Sequence, residues 1–177
     1  MELITFLLLT WEKALIGLGV LFVIVYILLI YYALKSLFVF RKQLNSYETS
    51  IKMATIETIT LIRDLEKLSG DQIDEKNNDL LEEIEGLVVQ NIVKGNYKKV
   101  LAIHTDFVNK LKSTITDQSL IEKIENNVNL QKEIDKLYQK ALFYHSADLS
   151  GYNYWAHFIL TRPFTLMFKF KKRDSIY

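Results

Sequence analysis

Apolar residues run without a charge from Ala14 to Leu34, ALIGLGVLFVIVYILLIYYAL, a stretch of 21 residues. At about 1.5 Å per residue, a helix of that length crosses the roughly 30 Å hydrocarbon core of a bilayer. A cleaved signal peptide is the competing reading. The run is too long for a signal h-region, Glu2 and Glu12 precede it, and no A-x-A site follows, so the pattern predicts a retained transmembrane helix. The preceding LITFLLLTW reads as an interfacial extension with Trp11 at the headgroups.

Beyond the span the apolar spacing changes to a seam. Leu37, Phe40, Leu44, Tyr47, Ile51, Ala54, Thr58, Leu61, Leu65 and Leu68 follow one another at alternating steps of three and four. That spacing predicts a membrane helix running on into a coiled-coil-like helix, with Leu37, Phe40, Leu44, Tyr47, Ile51, Leu61 and Leu65 on a bundle or oligomer seam. A second stripe, Met53, Ile56, Ile59 and Ile62, widens the apolar face. Ser69-Gly70 is a helix stop.

Three more helices follow. Residues 71–94 carry Leu80, Leu81, Ile84, Leu87, Val88 and Ile92 on one face; residues 96–115 carry Tyr97, Leu101, His104, Val108, Leu111 and Ile115. Ser119 to Glu122 has the form of a capping box opening a helix to Leu149, with Ile124, Val128, Ile134, Leu137, Ala141 and Tyr144 inward and Ser150-Gly151 as its end. At the helical rise the four segments span about 51, 36, 30 and 46 Å, so an antiparallel four-helix path returns to the membrane plane.

The last segment suits that destination. Trp155, Phe158, Phe164, Phe168 and Phe170 supply rings for a membrane interface, and Lys169, Lys171, Lys172 and Arg173 face anionic headgroups. Pro163 starts a short helical turn. The bland alternative is that these rings close the bundle or an oligomer contact. The expected fold is therefore all-α: residues 1–34 as N-terminal segment and transmembrane helix, 35–151 as an antiparallel four-helix bundle, and 152–177 as a membrane-proximal segment.

Composition narrows the function. A net charge of +1 gives no reason to expect nucleic acid as partner, and the absence of cysteine removes disulfides and thiolate chemistry. Glu2, Glu12 and Lys13 precede the span, whereas Lys35, Arg41 and Lys42 follow it. The positive-inside rule then places the N-terminus outside and the bundle in the cytoplasm, as a single-pass protein of the cell membrane.

The layout and several residues of the ending carry a resemblance. Tyr152-Asn153 is followed by Phe168-Lys169-Phe170-Lys171, and the chain closes on Tyr177. With an uncleaved N-terminal span and a helical body, this resembles the LemA family, whose members tend to end with Tyr-Asn, Phe-Pro, F-G-F-K and tyrosine. Here Lys169 stands in place of the family's glycine, Pro163 does not follow a phenylalanine, and Arg63-Asp64-Leu65 is the only echo of the family's R-D-L-I-P stretch. The resemblance implies a divergent member in the bacterial cell envelope without known catalysis, in a family some of whose members are linked to HtpX-type membrane proteases.

No phosphate loop, H-E-x-x-H or G-x-S-x-G motif is present. His104 occupies a heptad slot and reads as a core polar residue that sets register. His145 and His157 flank Gly151 without a placed carboxylate, and Asp79, Glu82, Glu83 and Glu85 read as a solvated helix face. Asn126, Asn127 and Asn129 interrupt the apolar pattern of the fourth helix and mark a local weak point or a polar contact with the shorter helices. No catalytic, cofactor-binding or metal residue is expected. The sequence favours a non-enzymatic scaffold that assembles with itself on the bilayer; the alternative is a regulator or adaptor of a membrane protease or other envelope enzyme.

Overall fold

The computed structural model describes residues 2–70, 73–89, 95–158 and 162–176, and the side chains of 2–10 and 89 lie outside that description. All described elements are α-helices: α1 (Glu2–Ser69), α2 (Glu75–Val89), α3 (Asn96–Thr114), α4 (Gln118–His157) and α5 (Arg162–Met167). They divide between two compact units. The smaller comprises residues 1–41 and 151–173, the larger residues 42–150 and 174–177.

α1 is continuous, as the seam predicts. From Val20 to Ser69 it contains neither glycine nor proline, so no residue breaks the ladder. Every position from Trp11 to Val25 is exposed, and the helix is long and apolar enough to be a candidate membrane span. A buried core helix of that composition would hide those side chains. Gly70 ends α1 at φ +71°, its N–H donating to Glu66 O at 3.0 Å, the left-handed stop that glycine adopts without steric cost. Arg63 then holds the turn: its Nη1 donates to Glu66 Oε2 at 3.0 Å and to Asn78 Oδ1 at 2.7 Å.

The larger unit is a helical bundle. Ile59, Ile62 and Leu65 of α1 pack with Leu81, Ile84 and Val88 of α2, with Val100, Phe107 and Leu111 of α3, and with Ile124 of α4. A second cluster joins Ile51 and Ala54 to Tyr97, Ile134, Tyr138, Ala141 and Leu142, with Ile176 packed against it. Each fully buried branched side chain stabilises the fold by roughly 1.5–3 kcal/mol before entropy is subtracted. Thr55 and Thr58 are tolerated inside because each hydroxyl donates to the carbonyl four residues back, Ile51 O at 3.0 Å and Ala54 O at 2.9 Å.

Seam residues Leu37, Leu44, Ile51 and Leu65 are fully buried, and Phe40, Tyr47 and Leu61 are half-buried. Of the second stripe, Ile59 and Ile62 are buried, but Met53 and Ile56 are exposed. Leu137 and Tyr144, expected to point inward on α4, are exposed; Tyr138, Leu142 and His145 take the interior places. The capping box is not used. Asp117 caps α4 instead, its Oδ1 accepting the Ser119 N–H at 3.0 Å, which places Ser119 inside the first turn. Nor does Ser150-Gly151 end α4, which continues to His157. Ile92 and the ends of the expected second helix, 71–72 and 90–94, lie outside the described residues.

Several buried polar groups of the larger unit pair with one another, whereas Gln131 Oε1 and both ring nitrogens of His145 have no hydrogen-bond partner. His104 Nε2 donates to Asn127 Oδ1 at 2.7 Å, and Asn127 Nδ2 donates to Leu61 O at 3.0 Å, linking three helices through one asparagine. Burial pushes the His104 pKa down, and the Asn127 bond opposes that only in part. Tyr97 stacks on Tyr138 with ring centroids 3.8 Å apart and donates its hydroxyl proton to Asp135 Oδ1 at 3.2 Å. Burial, with the Asp135 carboxylate beside it, holds that phenol well above its ordinary range.

Candidate membrane-interface site

The smaller unit contains the aromatic and basic segment. Its position depends on Gly151, which lies in the middle of a helical turn. A Cβ added there would fall 2.9 Å from the end of the Phe40 ring. The glycine lets α4 and α1 approach, and that close approach, rather than a helix stop, is its role. Ile30, Ala33 and Leu37 of α1 and Tyr152 and Ala156 of α4 form the buried faces.

After Met167 the chain turns back. Phe170 N–H donates to Thr165 O at 2.8 Å and Lys169 N–H to Leu166 O at 3.1 Å, with Lys169 at φ +55°. That is a Schellman turn, and its left-handed position holds a lysine where glycine is favoured. The Thr165 hydroxyl, itself buried, is shared between Ala156 O at 3.2 Å and Arg162 O at 3.0 Å.

The returning strand of chain is clamped along α4. The Tyr152 hydroxyl donates to Lys171 O at 3.0 Å. Asn153 pairs with the backbone of Arg173 in both directions: Nδ2 donates to its carbonyl at 3.0 Å, and its N–H donates to Oδ1 at 3.0 Å. The Arg173 guanidinium sits 5.7 Å over the Tyr152 ring. One asparagine thus satisfies a donor and an acceptor that an unpaired tail would leave to water.

The expected interface residues fall into two groups. Trp155 lies edge-on to Tyr32 at 6.1 Å and to Phe158 at 5.7 Å, and Phe168 lies edge-on to Phe38 at 6.1 Å. Trp155, Phe158 and Phe164 are half-buried, Phe168 is exposed, and Lys169, Lys171 and Lys172 are all exposed. Phe170 belongs to the interior. It is 5% exposed, its ring 5.1 Å from Phe38 and 5.8 Å beneath the Arg41 guanidinium. Facing protein, it anchors the tail, so its expected place among the interface rings is corrected.

Leu166 and Met167, which the sequence reading passed over, are more exposed than any of the named rings of this segment. The signal that would have found them is the pairing of Pro163 with a short amphipathic turn. Neither residues 14–41 nor residues 151–173 contain an aspartate or glutamate, whereas Lys35, Arg41, Arg162, Lys169, Lys171, Lys172 and Arg173 all lie within them. With about 1 kcal/mol per cation near an anionic leaflet, this patch suits phosphate headgroups.

The histidines form no common site. His104 is paired with Asn127, His145 is buried 3.6 Å from Glu48, and His157 Nδ1 lies 3.1 Å from Asn153 O. Among the described residues, no group of three or more histidines and carboxylates is placed to hold a metal ion. Asp79, Glu82, Glu83 and Glu85 are exposed. Compared with known proteins, the chain matches no family model, no curated protein and no solved structure.

Proposed function

We propose that the chain is a non-enzymatic, membrane-anchored helical scaffold of the cell envelope, LemA-like, which assembles with itself on the cytoplasmic face of the membrane. In this reading α1 crosses the bilayer once with its N-terminus outside. The larger unit is an antiparallel four-helix bundle, and the aromatic-basic segment rests at headgroup level. Pairing of Tyr97 with Tyr138 and of His104 with Asn127 supports antiparallel α3 and α4, since one index rises as the other falls.

The observation that carries the reading is the packing of Trp155 and Phe168 on Tyr32 and Phe38, where the apolar run gives way to Lys35 and Arg41. Rings of that kind at the end of a span, beside cations only, fit a headgroup belt. Two further details favour a LemA-like ending. Tyr152 and Asn153, the pair quoted for the resemblance, hold the tail, and Lys169 is left-handed where the family ending has glycine.

The sequence contains two tryptophans, Trp11 and Trp155, so Trp11→Phe leaves Trp155 as the sole reporter. In anionic vesicles containing brominated lipid, its fluorescence should be quenched. Unquenched emission would remove the headgroup placement. Affinity recovery of one stoichiometric membrane protease would replace the scaffold reading by the adaptor one.

A further inference from the structure

By the standard of a helix in water, α5 is inside out. Its buried residue is Thr165, 1% exposed, whose hydroxyl bonds Ala156 O of α4 at 3.2 Å and fixes which side faces the protein. Pro163, Leu166 and Met167 stand about 100–160° round the helix from it. All three are exposed, Leu166 at 68% and Met167 at 70%. A helix in water buries its apolar stripe and shows its polar one, so the reversed order marks a face that meets something apolar.

Level along α1 says what that is. The Trp155 ring lies against Tyr32, within the uncharged run, and the Phe168 ring against Phe38, beyond its end. These two contacts bracket Lys35, the first charge after the run, and stand about 9 Å apart along the helix axis. Leu166 and Met167 directly precede Phe168. With α1 as a span, α5 therefore lies where hydrocarbon gives way to headgroups.

The charges name the lipid. Arg162 opens α5 and Lys169 follows its end, both exposed, and from Ser150 to Arg173 there is no aspartate or glutamate. Long cationic side chains at both ends of an apolar face reach outward to phosphates while the face meets acyl chains. A second copy meeting α5 face to face would bring the same cations and be repelled.

We infer that the outward face of α5, Pro163, Leu166 and Met167, inserts among the acyl chains of the adjoining leaflet, with Arg162 and Lys169 on the phosphates of anionic lipids. The inference rests on the membrane placement put forward above, and it names the residues that enter the bilayer and the lipid they meet.

The chain contains no cysteine, so Met167→Cys carries a nitroxide at one place. The full-length variant in nanodiscs of phosphatidylcholine with phosphatidylglycerol is tested for contact with oxygen, which concentrates in lipid, and with a water-soluble nickel chelate. Glu122→Cys, exposed on the larger unit, is the aqueous control. Oxygen should dominate at 167 and nickel at 122. In phosphatidylcholine alone, or with Arg162→Glu and Lys169→Glu added, oxygen contact at 167 should fall toward the control. Quenching of Trp155 by brominated lipid, with Trp11→Phe, is measured in parallel. Nickel contact at 167 with Trp155 still quenched overturns the insertion and leaves the headgroup placement standing, whereas nickel contact with Trp155 unquenched overturns both. A label shielded from both reagents means that protein covers α5, which also overturns the insertion. Insertion indifferent to lipid charge and to both reversals removes anionic lipid as the partner.

Discussion

In the larger unit, branched aliphatic side chains from four helices fill the interior, and Thr58, His104 and Asn127 there are satisfied by neighbouring side chains or by helix backbone, while Gln131 Oε1 and the His145 ring nitrogens have no hydrogen-bond partner. The smaller unit holds its returning segment by other means: aromatic edges, two cations over rings, and side chains that bond backbone atoms. The difference follows from what each has to bury. A helix satisfies its own backbone and needs apolar surface against its neighbours, whereas residues 168–173 of the smaller unit lack regular structure and need partners for their N–H and C=O groups. Cohesion is therefore spread over many contacts in one unit and concentrated in Tyr152, Asn153, Thr165 and Phe170 in the other.

The largest expected effect is in the spread-out interior. Leu111→Ala removes a fully buried side chain and should cost about 2–5 kcal/mol, read as a lower midpoint in urea. Tail protection, assayed by trypsin below that midpoint, should be unchanged; parallel loss of both would erase the contrast between the units.

Next comes the clamp. Asn153→Ala removes both bonds to Arg173 and should loosen the tail by about 1–3 kcal/mol. Trypsin should then cut faster after Lys171, Lys172 and Arg173, while the helical signal stays constant. An unchanged cutting rate would mean that the rings hold the segment without the asparagine.

A pH effect separates the units further. The folded pKa of His104 lies below the ordinary 6.5, so the unfolded chain binds the extra proton first as the pH drops. Stability from this residue is complete above pH 6.5 and is lost as the pH falls from there toward the folded value. The slope is at most about 1.4 kcal/mol per pH unit, the worth of one proton. His104→Gln should flatten that part of the urea-midpoint profile, leaving tryptic cutting of the tail unaltered. The smallest effect is a gain. Lys169→Gly relieves the left-handed turn at φ +55° and should stabilise the tail by about 0.5–1 kcal/mol, seen as slower tryptic cutting at Lys171.

Sequence periodicity alone determined that the described elements are helical, that α1 carries a membrane-length apolar run, and that Leu37, Leu44, Ile51 and Leu65 share its buried line. Each of these depends on local chemistry: residue spacing, uncharged length, and the absence of helix breakers. Tertiary contacts decided what local chemistry leaves open. The seam on α1 is written in strong apolar residues, but α4 offers several faces of similar character. Its neighbours chose Tyr138, Leu142 and His145 for the interior and left Leu137 and Tyr144 outside. Gly151 shows the same limit: as a local signal it reads as a helix end, yet α4 continues through it and the Phe40 ring packs where a Cβ would lie. The tail was legible as aromatic and basic, yet which ring turns inward depended on the turn at Lys169 and the clamp at Asn153, contacts between residues up to 20 positions apart that no residue spacing encodes.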